Sequence, residues 1–198
     1  MSSIKLSKAS KMPCRSWSLE ALRTCPAAKK PDGSLVDACR GCYATQGNYN
    51  FPSVRGSREH NRVDWKRDDW TRDMIQELDN DRYFRWFDSG DLPNMEALKK
   101  IVQIAQNTPQ TKHWLPTREI KLIQQYLKNN TFPKNLVVRV SAPMIDGQPP
   151  KGFQNTSTVH KDKDPIGFDC VSRFQNNQCL SCTACWDKRI KNVSYKAH

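Results

Sequence analysis

The sequence predicts an α/β protein built on a parallel sheet, on three observations. Beyond Trp65, segments with strand character alternate with segments whose apolar residues fall at helical spacing. Each strand candidate runs into polar residues, and in parallel α/β architectures the C-terminal strand edge is where sites are built. The 198 residues suffice for one core and are short for two, since domains run to about 100 to 200 residues. Three or four βα units fall short of a closed eight-fold barrel, which needs about 250 residues. The expected architecture is therefore a partial, TIM-barrel-like or open parallel sheet, with irregular cysteine-rich segments at both ends.

Residues 1–62 show little periodicity, several Pro and Gly, and four cysteines, which reads as an irregular metal-binding segment ordered by what it binds. Residues 63–160 form the βα-repeat core. Trp70, Met74, Ile75 and Leu78 mark a helix that ends at Asp79 and Asn80. YFRWFDSGD then reads as a buried strand running into a turn. Met95, Leu98, Ile101, Val102 and Ala105 mark a second helix, KHWLPTRE a second strand, and Ile120, Ile123, Tyr126 and Leu127 a third helix. LVVRVSAP is the clearest strand, and STVH at 157–160 a weaker fourth. Residues 161–198 form a second cysteine-rich metal-binding segment, and the whole is expected to be one compact domain.

The polar residues at the strand ends define an expected ligand pocket: Asp88, Ser89 and Asp91 after the first strand, Thr117 and Arg118 after the second, with Glu119 and Ser141 close by. Arg118 suits an anionic group, because a guanidinium binds carboxylate or phosphate bidentately. The two carboxylates of DSGD suit acid–base work or cation binding, with simple turn structure as the plainer reading.

No run of about 18 apolar residues is present and the start MSSIKLSKASKMPC lacks the apolar stretch of a signal peptide. A cytoplasmic protein with no membrane segment is expected, and in that compartment eight cysteines point to metal or redox chemistry rather than to four disulfides. The net charge is +12, and the N-terminal arm carries Lys5, Lys8, Lys11, Arg15, Arg23, Lys29 and Lys30 against Glu20. Such an arm suits nucleic acid. It equally suits a solvated surface or a chain holding anionic clusters.

Cys179, Cys182 and Cys185 form a CxxCxxC run, with Cys170 before it across eight intervening residues. This brings three thiolates round one compact turn and is the spacing with which ferredoxin-type chains wrap a cubane cluster, Cys170 closing the fourth corner. Zinc favours paired knuckles and is the alternative. The other set is Cys14, Cys25, Cys39 and Cys42. Cys25, Cys39 and Cys42 alone would leave one iron of a cluster open, Cys14 would close it, and zinc held by all four competes. His60 and His160 are possible substitute ligands.

LRTCPAAK, CRGCYATQGNYNFPSVRGSREHN, YFRWFDSGD, HWLPTRE and CLSCTACW together resemble the phage gene product 88 family, over roughly residues 14–198. The resemblance implies a bacteriophage or prophage origin and expression in the host cytoplasm. Cys25, Cys39, Cys42 and the adjacent Tyr43 also resemble radical-SAM proteins, which implies a four-iron cluster, S-adenosylmethionine and a partial barrel. The thirteen residues between Cys25 and Cys39 depart from that family's compact triplet, and no glycine-rich methionine-binding strand motif is present.

Three functions follow. One is a protein with two iron-sulfur clusters, expected to be of the 4Fe-4S type from the cysteine spacing, one of them serving radical-SAM-like chemistry. The second is a non-enzymatic phage accessory protein with structural clusters, binding nucleic acid or a host protein through its charge and through Trp17, Trp65 and Trp70. The third is the same binder stapled by zinc. No GxSxG elbow, phosphate-binding glycine loop or HExxH helix offers another enzyme class.

Overall fold

Alternation along the strands sorts the side chains onto two faces, and each face meets a different partner. In the computed structural model, which describes residues 4–197, eight strands form one open sheet: β1 (Ser7–Lys8), β2 (Arg15–Trp17), β3 (Tyr83–Trp86), β4 (Lys112–Thr117), β5 (Leu136–Ile145), β6 (Thr156–His160), β7 (Phe168–Asp169) and β8 (Asn192–Lys196). Their order is β1-β2-β3-β4-β5-β6-β8-β7. Only β1 is antiparallel to its neighbour.

From β2 to β6 each strand lies beside the one before it. Right-handed crossovers in that order keep the connecting helices on a single face. Helices α3 (Trp70–Glu77), α4 (Met95–Asn107) and α5 (Ile120–Leu127) accordingly pack with Phe84, Trp86, Leu115, Leu136, Val138 and Val140 in the main core. Asn94 caps α4, its side chain accepting the Ala97 N–H at 3.0 Å. The parallel α/β expectation holds, and of its two forms the open sheet is the one described: the edge strands β1 and β7 do not pair.

The end segments differ from the irregular ones expected. Residues 1–62 supply β1, β2, the short α1 (Asp37–Arg40) and a 13-residue helix, α2 (Pro52–Asp64), while residues 161–198 supply β7 and β8. Short strands such as Arg15–Trp17 carry too few residues to show a period of two, and α2 is too polar to show an apolar stripe; its buried residues are Arg58 and Asn61. Trp17, Trp65 and Trp70, offered as base-stacking residues with core burial the plainer reading for the last two, are 2%, 4% and 1% exposed and belong to the main core. The rings of Trp17 and Trp70 meet edge-on at 5.2 Å, a geometry aromatic pairs favour.

The opposite face carries Tyr83, Arg85, Trp114, Pro116, Val137, Arg139 and Ser141. It is covered by both chain ends: Met12, Cys14 and Trp186 pack with Trp114 in a second cluster, joined by Tyr83, Cys179, Cys185 and Tyr195. The Trp186 indole N–H donates to the Phe84 carbonyl at 2.9 Å.

His113, fully buried on the helix face, pairs its Nε2 with the Thr108 hydroxyl at 2.8 Å, and its Nδ1 is buried without a partner. Burial pushes its pKa from 6.5 down to about 4. The folded state therefore binds fewer protons than the unfolded chain between those values. The stability this provides is complete above pH 6.5 and is lost as pH falls towards 4, by about 3 kcal/mol at most. Urea unfolding from pH 7 to 4 should show a flatter acid limb for His113→Gln than for the parent; parallel limbs would rule out His113 as its source.

Candidate metal centres and ligand pocket

The C-terminal ends of β3, β4 and β5 converge with the segment after β2 to form one pocket. Its lining includes Cys25, Cys39, Cys42, Asp88, Ser89, Asp91, Thr117, Arg118 and Ser141. Cys25 precedes the 3-10 turn Pro26–Ala28, Cys39 lies in α1, and Cys42 precedes the 3-10 turn Tyr43–Thr45. Two contacts fix this irregular stretch to the sheet. The Glu119 carboxylate accepts the Ala27 N–H at 2.7 Å, and Asp37 accepts the Ile145 N–H at 3.3 Å.

The DSGD turn is a structural hub. The Asp88 carboxylate accepts the Ser18 hydroxyl and lies 3.6 Å from the Arg58 guanidinium, and its carbonyl accepts the Tyr43 hydroxyl at 2.8 Å. The Ser89 hydroxyl donates to the Leu19 carbonyl at 2.6 Å and accepts from Arg58 Nε. Asn61 donates to the carbonyls of Lys5 and Ser18, both at 3.0 Å. Asp91 accepts the N–H groups of Leu92 at 2.7 Å and Arg118 at 2.8 Å, and burial raises its pKa. Asp88 and Ser89 thus face the pocket with their polar groups already engaged, so turn structure accounts for them. Arg118 is different: its Nε is buried with no partner, and among the described residues no carboxylate lies within ion-pair distance. It stands opposite Cys39.

All eight cysteines are free thiols, and the structure regroups them. Cys25, Cys39 and Cys42 are mutual neighbours. Cys14 is not with them; it faces Cys179 and Cys185, which in turn face Cys170, with Cys182 beside Cys179. Cys14, left open as a ligand of the first set, packs instead with Cys179 and Cys185, whereas Cys25, Cys39 and Cys42 line the pocket at the strand ends. His60 and His160 join neither group: His60 lies 3.8 Å from Asp64 on α2, and His160 bonds the Ser194 hydroxyl at 2.8 Å and lies 3.8 Å from Asp169.

Burial pushes the thiols of Cys14, Cys25 and Cys185 up to about 12 and raises Cys39 and Cys179. None of these five is activated as a nucleophile by its surroundings, and a metal is what would deprotonate them. Among the described residues no three His, Cys, Asp or Glu side chains close on a single metal ion. A polynuclear cluster asks for something else, since each thiolate binds a different iron and the sulfurs stand further apart.

Two residues the sequence reading passed over bear on this. Arg139, 0% exposed, donates to the carbonyls of Ala184 at 3.0 Å, Cys185 at 3.0 Å, Asp187 at 2.9 Å and Ile190 at 2.9 Å, and to Thr156 at 3.4 Å. Arg85 stacks 4.5 Å over the Trp114 ring. Arg139 is buried and Arg85 half-buried, and neither has a carboxylate within ion-pair distance among the described residues, yet a charge withdrawn from water is costly unless balanced. The five thiols beside them, once deprotonated, supply that balance. The donor set and the orphaned cations therefore fit an anionic thiolate centre. The signal was legible as Arg85 and Arg139, each a lone charge inside an apolar strand.

The profile of the family described as Gene product 88 matches residues 2–188. The chain belongs to the gene product 88 family. No curated protein and no solved structure matches it. The gene product 88 match ends just past the CxxCxxC run, so both thiol groups and the DSGD turn fall inside it. Among the described residues of this gene product 88 chain, no helix is long and apolar enough to cross a membrane.

Proposed function

We propose that this gene product 88 protein is a phage iron-sulfur protein with two cluster-binding centres, one open to a small ligand and one closed. The observation that carries the reading is the pair of guanidinium groups beside the five-thiol group, Arg139 buried and Arg85 half-buried, neither with a carboxylate within ion-pair distance among the described residues, whose charge thiolates would balance. In the closed centre Cys179, Cys182 and Cys185 supply three corners, with Cys170 and Cys14 both near the fourth. In the open centre Cys25, Cys39 and Cys42 hold three corners at the mouth of the sheet, where Arg118 takes the anionic group of a ligand. Glu119 and Asp37 hold the thiol-bearing stretch against β4 and β5. A bound cluster there would supply single electrons at a site partly shielded from water. The ligand we favour is S-adenosylmethionine, on the resemblance of Cys25, Cys39, Cys42 and Tyr43 to radical-SAM proteins and on the unengaged guanidinium of Arg118. Family membership supports a phage origin and a place of action in the host cytoplasm.

The iron-sulfur reading is preferred to zinc because the CxxCxxC spacing suits a cubane, whereas zinc favours paired knuckles. It is preferred to nucleic-acid binding because Trp17, Trp65 and Trp70 are in the core. Protein purified without oxygen should be brown, with iron and acid-labile sulfide in equal amounts. Replacing Cys25, Cys39 and Cys42 together by Ser should remove about half the iron, and replacing Cys179, Cys182 and Cys185 the other half. Colourless protein with stoichiometric zinc would overturn the proposal. Cluster-loaded protein that neither binds nor cleaves S-adenosylmethionine would overturn the choice of ligand alone.

A further inference from the structure

Arg85 lies between the two thiol groups. It projects from β3 on the face away from the helices, where its Nη2 donates to the Tyr43 hydroxyl at 3.2 Å and its Nη1 to the Met12 sulfur at 3.3 Å. Tyr43 directly follows Cys42. Met12 and Trp114 belong to the cluster that holds Cys14, Cys179 and Cys185. Arg85 also lines the three-thiol pocket itself, and its charge faces Cys14, Cys179 and Cys185. Its Nε is buried with no partner. Neither Arg118 nor Arg139 is placed this way: Arg118 stands at the three-thiol group and Arg139 at the five-thiol group.

We propose that Arg85 is a positioning residue that couples the two centres electrostatically, one fixed cation serving two anionic sites. The inference rests on the iron-sulfur reading above. Reducing a cluster adds one negative charge, and a nearby fixed cation in a low-dielectric interior favours the reduced form. A cation shared by two clusters must act on both. A guanidinium that merely held Tyr43 and Met12 in place would leave at least one potential where it was.

The test is a potentiometric titration followed by electron paramagnetic resonance, on parent protein and on Arg85→Gln, Arg85→Met and Arg85→Lys, after iron and sulfide analysis of each. Gln and Met should move both midpoint potentials to more negative values, and Lys, which keeps the charge, should move both less. Met retains the apolar contact with Trp114 and guards against a packing artefact in Gln. Loss of a cluster in Gln and Met that Lys restores also supports the proposal. A shift at one centre only, no shift at either, or equal cluster loss in all three variants overturns it. Absence of iron from the parent overturns the iron-sulfur reading and this inference with it, and is read from the analysis before any potential is measured.

Discussion

Arg139→Met should lower the unfolding temperature by roughly 10 °C, corresponding to roughly 4 kcal/mol for a chain of this size, and should empty the C-terminal metal centre. The guanidinium donates charge-assisted bonds to four carbonyls of one loop, of Ala184, Cys185, Asp187 and Ile190. Methionine fills much of the volume but removes all four bonds and leaves the Cys185 carbonyl without its donor. Removing the buried charge recovers some desolvation energy, but the loss of these charge-assisted bonds is larger. The same loop carries Cys179, Cys182 and Cys185, so its framework and its metal should be lost together, while iron at Cys25, Cys39 and Cys42 persists. Calorimetry and metal analysis on one preparation check this. Full iron retention with unchanged unfolding would mean the loop is held by something other than Arg139.

Gly90→Ala should cost roughly 3 kcal/mol, whereas Gly56→Ala should stabilise by up to about 1 kcal/mol. Gly90 has φ +76°, and a Cβ there would stand 2.7 Å from Leu19 Cβ and 2.9 Å from the Leu19 carbonyl carbon. Leu19 is fully buried and its carbonyl already accepts the Ser89 hydroxyl, so it cannot retreat. The strain falls on the turn that aims Asp91 at the Arg118 amide, and the three-thiol pocket should lose ligand affinity as well. Gly56 lies inside α2 with open space where its Cβ would go, so alanine there gains helix propensity at no steric cost. Equilibrium denaturation of the two variants side by side reads both signs; a shift of the same sign in both would refute the steric argument.

The alternating core was legible because each of its elements carries a long enough stretch of one period. The stripe Leu98, Ile101, Val102 and Ala105 specifies α4 without reference to anything else, and the β-branched Val137, Val138 and Val140 beside Leu136 specify β5. The site was legible in part for a related reason: strands that end in Asp88, Thr117 and Ser141 bring those residues to one edge in any parallel sheet, whatever the loops do. What α2 does was hidden, since it lays Arg58 against the DSGD turn and Asn61 against the carbonyls of Lys5 and Ser18 rather than burying an apolar face.

The sequence by itself determined the parallel α/β core and the strand edge that forms the pocket, because local periodicity and residue type are sufficient for these. Only the tertiary structure decided that the sheet remains open, that both chain ends cover its second face, and that Cys14 sits with Cys179 and Cys185 while Arg85 lies between the thiol groups. Those outcomes depend on which distant segments meet across the sheet. Cys14 and Cys179 are joined by a pairing of backbone segments, the Cys179 N–H on the Lys11 carbonyl at 2.7 Å, and no spacing of cysteines along the chain encodes such a contact.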